Sequence, residues 1–513
     1  MLRETLTKNF CEHAELSALS FAEGEMSYLQ AMEAASSLMA EGMRDLPAGP
    51  VGIFGGREPA MYLGLLSAVL SGRAYVPLNV KFPPARLAEM ISVAGCSCVI
   101  YDPRHEALLH GVLREAGLQI SEKTEAKLPH GAAVAVCNLA ADAAHAEAGA
   151  AHEGFAYVLF TSGSTGKPKG IGITRENLLA YLQHATKAFG LRPGERASQM
   201  FELTFDLSVH DLFVTWLCGG CVCVPAAADM MAPARFILNQ RITHWFSVPS
   251  TAALLSRLRL LRANVFPGLR QSLFCGEALP AALAVQWQAA APASALWNLY
   301  GPTEATIAIT AHEFTEPGRE CAGRDVVPIG VVFPGHLSAI VKDGVQAGAG
   351  EAGELWVSGP QVSRGYLANA AQTAEMFVTL KDWPDERVWY RTGDLVRADE
   401  AKVMHYLGRL DSQIQVHGHR VELGEVESAL RKVCGGRAVA ALGWPRNGSM
   451  VEGIAGFVEG TGTQEDVLKM TEELTAMLPA YMVPTRLQFV ASMPLNSNGK
   501  TDRNTLAKQL PSP

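Results

Sequence analysis

The segment TSGSTGKPKG, residues 161–170, puts three glycines, four hydroxyl side chains and the cations of Lys167 and Lys169 into one short loop. Glycine lets a loop turn tightly enough for successive N–H groups to face one anion, while hydroxyls and ammonium groups add donors and charge. The chemistry implied is a phosphate cradle. It is not the ordinary P-loop, because two residues separate Gly163 from Gly166 and Pro168 stands where that motif needs Ser or Thr for magnesium. A polar linker would not combine constraints of this kind. Two further clusters invite a chemical reading. Cys218 and Cys221 form a CxxC with Cys223 beyond it, but no second CxxC completes a metal site. Gly219 and Gly220 therefore read as a helix stop before an apolar strand. Lys500, in the polar run NSNGKTDR, has no core-packing reason to be there and by itself is a solvated charge.

These groups need a frame to hold them. Apolar runs VGIFGG (51–56), CSCVI (96–100), FAYVLF (155–160) and CVCVP (221–225) alternate with helical stretches, the pattern of α/β units with largely parallel sheets. The phosphate-cradle loop follows the third of these strands. MYLGLLSAVL (61–70) is about half the length needed to cross a bilayer and reads as a buried helix. The Ala-rich stretch 139–151 reads as a surface connection. After Arg409 the character changes, and HGHRVELGEVESALRKV (417–433) predicts a turn followed by an amphipathic helix. A boundary near Asp411 is expected, dividing residues 1–410 from residues 411–513. At 513 residues the chain exceeds one core, and 48% hydrophobic with 18% charged residues is a globular rather than a disordered composition. A net charge of −8 argues against a nucleic-acid partner, and the absence of an export signal or membrane span predicts a cytoplasmic protein with reduced thiols.

The loop, NLYGPTEATIAIT (298–310), GELWVSGPQVSRGYL (353–367), YRTGDL (390–395), GRLDSQIQVHGHRVELGEVE (408–427) and NSNGKTDR (496–503) follow one another along the chain, with SYLQ (27–30) and SGRAYVPLN (71–79) ahead of them. In order and spacing these resemble the motifs of the adenylate-forming superfamily, and more narrowly those of nonribosomal peptide synthetase adenylation domains and D-alanine–carrier-protein ligases. The resemblance implies an α/β fold: a large N-terminal part of doubly wound α/β subdomains with a small β-barrel, then a small mobile α+β C-terminal domain. It implies a reaction in which a carboxylate displaces pyrophosphate from ATP, with Mg2+, and the acyl group then passes to a phosphopantetheine thiol.

Residue roles follow from the resemblance. Thr161, Ser162, Gly163, Ser164, Thr165 and Lys169 would hold the β- and γ-phosphates, Thr303 the α-phosphate, and Glu304 the magnesium ion. Tyr300 and Gly301 would border adenine, with Asn298 offering its edge a paired donor and acceptor. Asp394, with Arg409, would take the ribose hydroxyls, although a turn Asp after Gly393 is the structural alternative. Lys500 would bridge the reacting carboxylate and α-phosphate, delivered by rotation about Asp411.

In FELTFDLSVHDLF (201–213), Asp206 would face a substrate ammonium, which favours an α-amino acid; its structural alternative is a helix N-cap. Leu207, His210, Phe246, Leu273, Cys275, Leu299, Ile307 and Ala308 would line a modest, apolar pocket. His210 reads more readily as a wall residue than as a donor. The expected substrate is a small neutral amino acid of the Ala, Pro, Ser or Cys class. With 13 residues after Lys500 and no fused carrier motif, the partner is expected to be a carrier protein in trans, docking on Arg or Lys with apolar contacts. The rival readings are an acyl-CoA synthetase and a non-catalytic nucleotide-binding protein of the same fold.

Overall fold

The computed structural model describes residues 2–42, 49–128, 132–140, 152, 154–163, 167–315, 325–379, 387–447, 450–495 and 501–511. Ser164, Thr165, Lys500 and most of the Ala-rich stretch lie outside the described residues; Leu139 and Ala140, assigned to that stretch from sequence, instead end the strand Ala133–Ala140.

Two large sheets carry the first three hundred residues. In the seven-stranded sheet, Cys98–Tyr101, Val51–Gly55, Tyr75–Asn79 and Phe155–Thr161 run parallel, with antiparallel hairpins closing both edges. In the nine-stranded sheet, Ser17–Phe21, Cys221–Cys223, Arg196–Ser198, His244–Ser247, Gln271–Phe274 and Ala295–Tyr300 form the parallel centre. Buried side chains from both sheets join one core with the helix Pro59–Leu70. This is why that helix is apolar all round: residues Ala60 to Leu70 are all buried. The CxxC resolves as a helix stop. Helix Leu207–Leu217 ends at Cys218, Gly219 takes φ 72°, and the strand Cys221–Cys223 begins two residues later.

Six strands between Leu337 and Arg409 form an antiparallel sheet curled into a half-barrel. From residue 413 onward, a four-stranded and a three-stranded sheet pack with the helices Leu423–Val433 and Gln464–Thr475 around a core drawn from residues 414–489 alone. Val421, Val426 and Leu430 face this core, while Arg431 and Lys432 sit in the last turn of the amphipathic helix, where the helix dipole favours cations. Among the described residues, no helix is long and apolar enough to cross a membrane.

Candidate active site

Parallel strands bring side chains together at their carboxyl ends, where α/β sheets open a crevice. The register places Phe246 beside Leu273 and Phe274 beside Asn298. A cavity of about 450 Å3 lies there, bordered by Asn298, Tyr300, Gly301, Asp394, Arg409 and Arg420. The Tyr300 hydroxyl donates to Asp394 Oδ2 at 2.5 Å, and Arg409 donates to Oδ1 at 2.7 Å. Asp394 is thus a buried, paired carboxylate in a strand, not a turn residue. Burial raises its pKa despite Arg409 and Tyr300. Arg409 also holds Asp411 at 2.6 and 2.7 Å, so the expected pivot is tied to the cavity wall. Asn298 departs from expectation: its amide donates to the carbonyls of Val327 (3.2 Å) and Pro328 (2.9 Å), so it has only its oxygen to offer a base. A Cβ on Gly301 would stand 2.5 Å from the Ala308 Cα, which explains glycine there.

The expected amino-acid pocket lies alongside. Asp206 sits at the start of Leu207–Leu217 but makes no side-chain cap hydrogen bond, so the N-cap alternative fails. Its carboxyl is buried and pushed up to about 7, chiefly by desolvation; Thr303 hydrogen bonding lowers it while the charge of Glu304 raises it. Leu207, His210, Phe246, Leu273, Cys275, Leu299, Ile307 and Ala308 are all buried and come together in this region. Thr306 and Ile307 adopt φ of 57° and 73°, a conformation costly for β-branched residues. Gln361 fixes it. Its side-chain amide donates to the carbonyls of Ala305, Thr306 and Ala308 at 2.7–3.1 Å, while its backbone carbonyl accepts from Thr306 Oγ1 at 2.6 Å. Gln361 lies in the segment 353–367, but one glutamine between Pro360 and Val362 gives no sign of clamping a strained loop.

The glycine-rich loop of residues 161–170, read above as a phosphate cradle, is closed at its base by antiparallel pairing of Thr161 with Lys169. A Cβ on Gly163 would fall 1.9 Å from the Lys167 carbonyl, so backbone fills the space a side chain would need. Residues 420–425 cover this loop. Ser162 Oγ donates to the Arg420 carbonyl at 2.8 Å and accepts from Glu422 N at 3.0 Å. Gly163 N donates to Glu425 Oε2 at 3.0 Å, Arg86 pairs with Glu425 at 2.6 Å, and Lys169 pairs with Glu422 at 3.1 Å. Arg420 reaches Glu304 at 2.9 Å, and Tyr366 donates to Glu304 at 2.8 Å. Burial opposes the Glu304 charge, yet Arg420 with Tyr366 and Lys169 holds this carboxyl below its ordinary value. The expected magnesium ligand is therefore neutralised by a guanidinium, and among the described residues no cluster of three or more His, Cys, Asp or Glu could hold a metal. One carboxylate beside a glycine-rich donor loop still suits a cation that would take most of its ligands from phosphate and water.

The turn that follows Val416 completes the site. His417 and Gly418 take φ of 49° and 81°, Gly418 N donates to Glu277 Oε1 at 2.7 Å, and a Cβ on Gly418 would meet Val248 at 2.4 Å. A second cavity of about 450 Å3, bordered by Phe205, Val248, Arg257, His417 and His419, opens beside this turn. Arg420, Glu422 and Glu425 were visible in sequence as motif members without a role. Arg86 carried no signal, because its partner is 339 positions away.

The model of the AMP-binding enzyme family matches residues 7–367, and the chain belongs to this family. It is 30% identical to the D-alanine–D-alanyl carrier protein ligase of Lacticaseibacillus paracasei, over 97% of both chains. It is 32% identical to part of tyrocidine synthase 3 of Brevibacillus parabrevis, over 96% of this chain and 7% of that one. Among solved structures, the Vibrio cholerae adenylation domain AlmE, in complex with glycyl-adenosine-5'-phosphate, aligns over 99% of this chain and 97% of that one. The TM-score is 0.84 and the identity 30%.

Proposed function

We propose that the protein activates a small neutral α-amino acid as its aminoacyl adenylate, releasing pyrophosphate, and passes the aminoacyl group to the phosphopantetheine thiol of a carrier protein. The observation that carries this reading is Asp206. It is a buried carboxylate with no ion pair among the described residues, hydrogen-bonded by Thr303 and close enough to Glu304 to feel its charge. Such a group is costly unless a ligand brings the cation. The ligases similar in sequence act on D-alanine, and the AlmE structure holds a glycyl adenylate, which is consistent with a small substrate.

In this reading, Asp394 and Arg409 orient the ribose, Tyr300 borders adenine, and Asp206 fixes the ammonium. The substrate carboxylate oxygen attacks the α-phosphorus and the bond to pyrophosphate breaks; later the thiolate sulfur attacks the acyl carbon and AMP leaves. Thr161, Ser162, Gly163, Ser164, Thr165 and Lys169 would hold the leaving phosphates, Thr303 the α-phosphate, and Lys500 the charge growing between carboxylate and phosphorus. Magnesium held by Glu304 would neutralise phosphate charge. Residues 1–410 and 411–513 act as two bodies turning about Asp411, and the cavity beside His417 and His419 is the route by which a thiol reaches the acyl carbon.

Amino-acid-dependent pyrophosphate exchange tests the proposal. Exchange with a small neutral amino acid, and a loss of at least about 100-fold with its deaminated analogue, is expected, since removing a paired charge leaves Asp206 buried alone. Equal use of the deaminated acid with coenzyme A as acceptor would favour an acyl-CoA synthetase instead, and no exchange with any acid would leave a nucleotide-binding protein.

A further inference from the structure

Tyr181, in the helix Arg175–Ala188, is fully buried, and its hydroxyl lies 2.6 Å from His210 Nδ1. The His210 ring packs edge-on against Phe246 with centroids 4.8 Å apart and approaches Phe189 at 6.0 Å. The space behind it, bordered by Ser198, Asp211, Thr215 and Leu273, measures only about 10 Å3. That is one water's worth, so the imidazole has nowhere to retreat. Tyr181 is braced in turn by Phe333, at 6.4 Å, which stacks on His184 at 3.9 Å. Desolvation keeps the Tyr181 phenol protonated and depresses His210 to about 3, so the two meet as neutral partners at neutral pH.

The position of this pair along the helix matters. Asp206 and His210 are four residues apart on one helix face, a rise of about 6 Å. The two side chains therefore rise from adjacent turns of one face, and a substrate whose ammonium meets Asp206 would turn its α-carbon and side chain toward the fixed imidazole.

We propose that Tyr181 is a specificity-determining positioning residue: by holding His210 across the end of the pocket, it limits the substrate to an amino acid whose side chain is no larger than a methyl, glycine or alanine. This rests on the amino-acid reading of Asp206 and narrows it. Pyrophosphate exchange by the full chain with glycine, both alanines, 2-aminobutyrate and proline tests it, with Tyr181→Phe and His210→Ala measured alongside and thermal melting confirming that each variant folds. The wild type should prefer glycine or alanine over 2-aminobutyrate by at least about tenfold in kcat/KM, the scale of one methylene in a closed pocket. Tyr181→Phe, which deletes only the hydroxyl, should narrow this ratio to about threefold through the KM for 2-aminobutyrate, and His210→Ala should narrow it at least as far. Wild-type use of 2-aminobutyrate or proline as efficient as that of alanine would overturn the proposal, as would an unchanged ratio in both variants. Exchange with deaminated acids only would instead overturn the reading of Asp206, a failure recognisable because it does not depend on side-chain size.

Discussion

Asp206 and Glu304 are both buried carboxylates, and their surroundings push them in opposite directions. Glu304 has Arg420 at 2.9 Å and a Tyr366 hydroxyl, and its charge is favoured; Asp206 has a Thr303 hydrogen bond but no ion pair among the described residues, and desolvation raises it to about 7. The sign of the pH effect follows. Only the ionised Asp206 attracts an ammonium, so attraction is present above about pH 7 and is lost as pH falls through that value. The KM for the amino acid should rise towards tenfold per unit as pH drops below 7, and Asp206→Asn should flatten this dependence while weakening binding throughout. A profile already flat between pH 5.5 and 8 in the wild type would contradict the assignment. Gln361 shows the opposite kind of residue, one that need touch no reactant and yet fixes the backbone of Thr306 and Ile307 through four hydrogen bonds.

At the scale of elements, the strand His419–Glu422 and the first turn of Leu423–Val433 present two carboxylates to the phosphate-cradle loop. Glu425 takes the Gly163 amide and Arg86, and Glu422 takes Lys169. Gly163 and Lys169 are donors that the proposed mechanism assigns to the leaving phosphates, so this docking and bound pyrophosphate would compete for the same groups. Arg86 and Glu425 are both nearly inaccessible, and removing one partner of such a pair costs on the order of 3 kcal/mol. Glu425→Gln should therefore slow transfer from preformed adenylate to a carrier thiol at least about tenfold more than it slows exchange. Rapid-quench measurement of the two half-reactions checks this; equal slowing of both would show that the contact serves folding rather than docking.

Across the whole molecule, the proposed two bodies meet through ion pairs and a hairpin tip rather than a shared core, since the cluster built from residues 414–489 is self-contained. Arg503 pairs with Glu427 at 2.6 Å, and Glu427 lies two residues, or about 200°, around the helix from Glu425. The segment just beyond Lys500 is thus bound on the face turned away from Gly163, as the proposed rotation about Asp411 requires. Lys500→Ala should lower adenylation by about 100- to 1,000-fold, the usual cost of a lost preorganised contact, and leave thiol transfer from supplied adenylate far less affected. Equal loss in both half-reactions would argue for a single working orientation.

Local chemistry made much of this fold legible in sequence. Alternating apolar runs and an amphipathic helix in residues 417–433 are short-range patterns, and they predicted the parallel sheets and the helix Leu423–Val433. The Tyr300 hydrogen bond to Asp394, the three carbonyls on Gln361, the clamp of Arg86 on Glu425 and the Tyr181–His210 wall were not legible, because each joins residues 29 to 339 positions apart and no spacing rule links them. Asn298 shows the same limit, since its side chain promised a base-edge donor and the fold used that donor on backbone carbonyls. Residue types and short spacings determined which chemistry is available; only the tertiary structure decided which groups meet, because burial and pairing across distant segments set each group's charge and freedom.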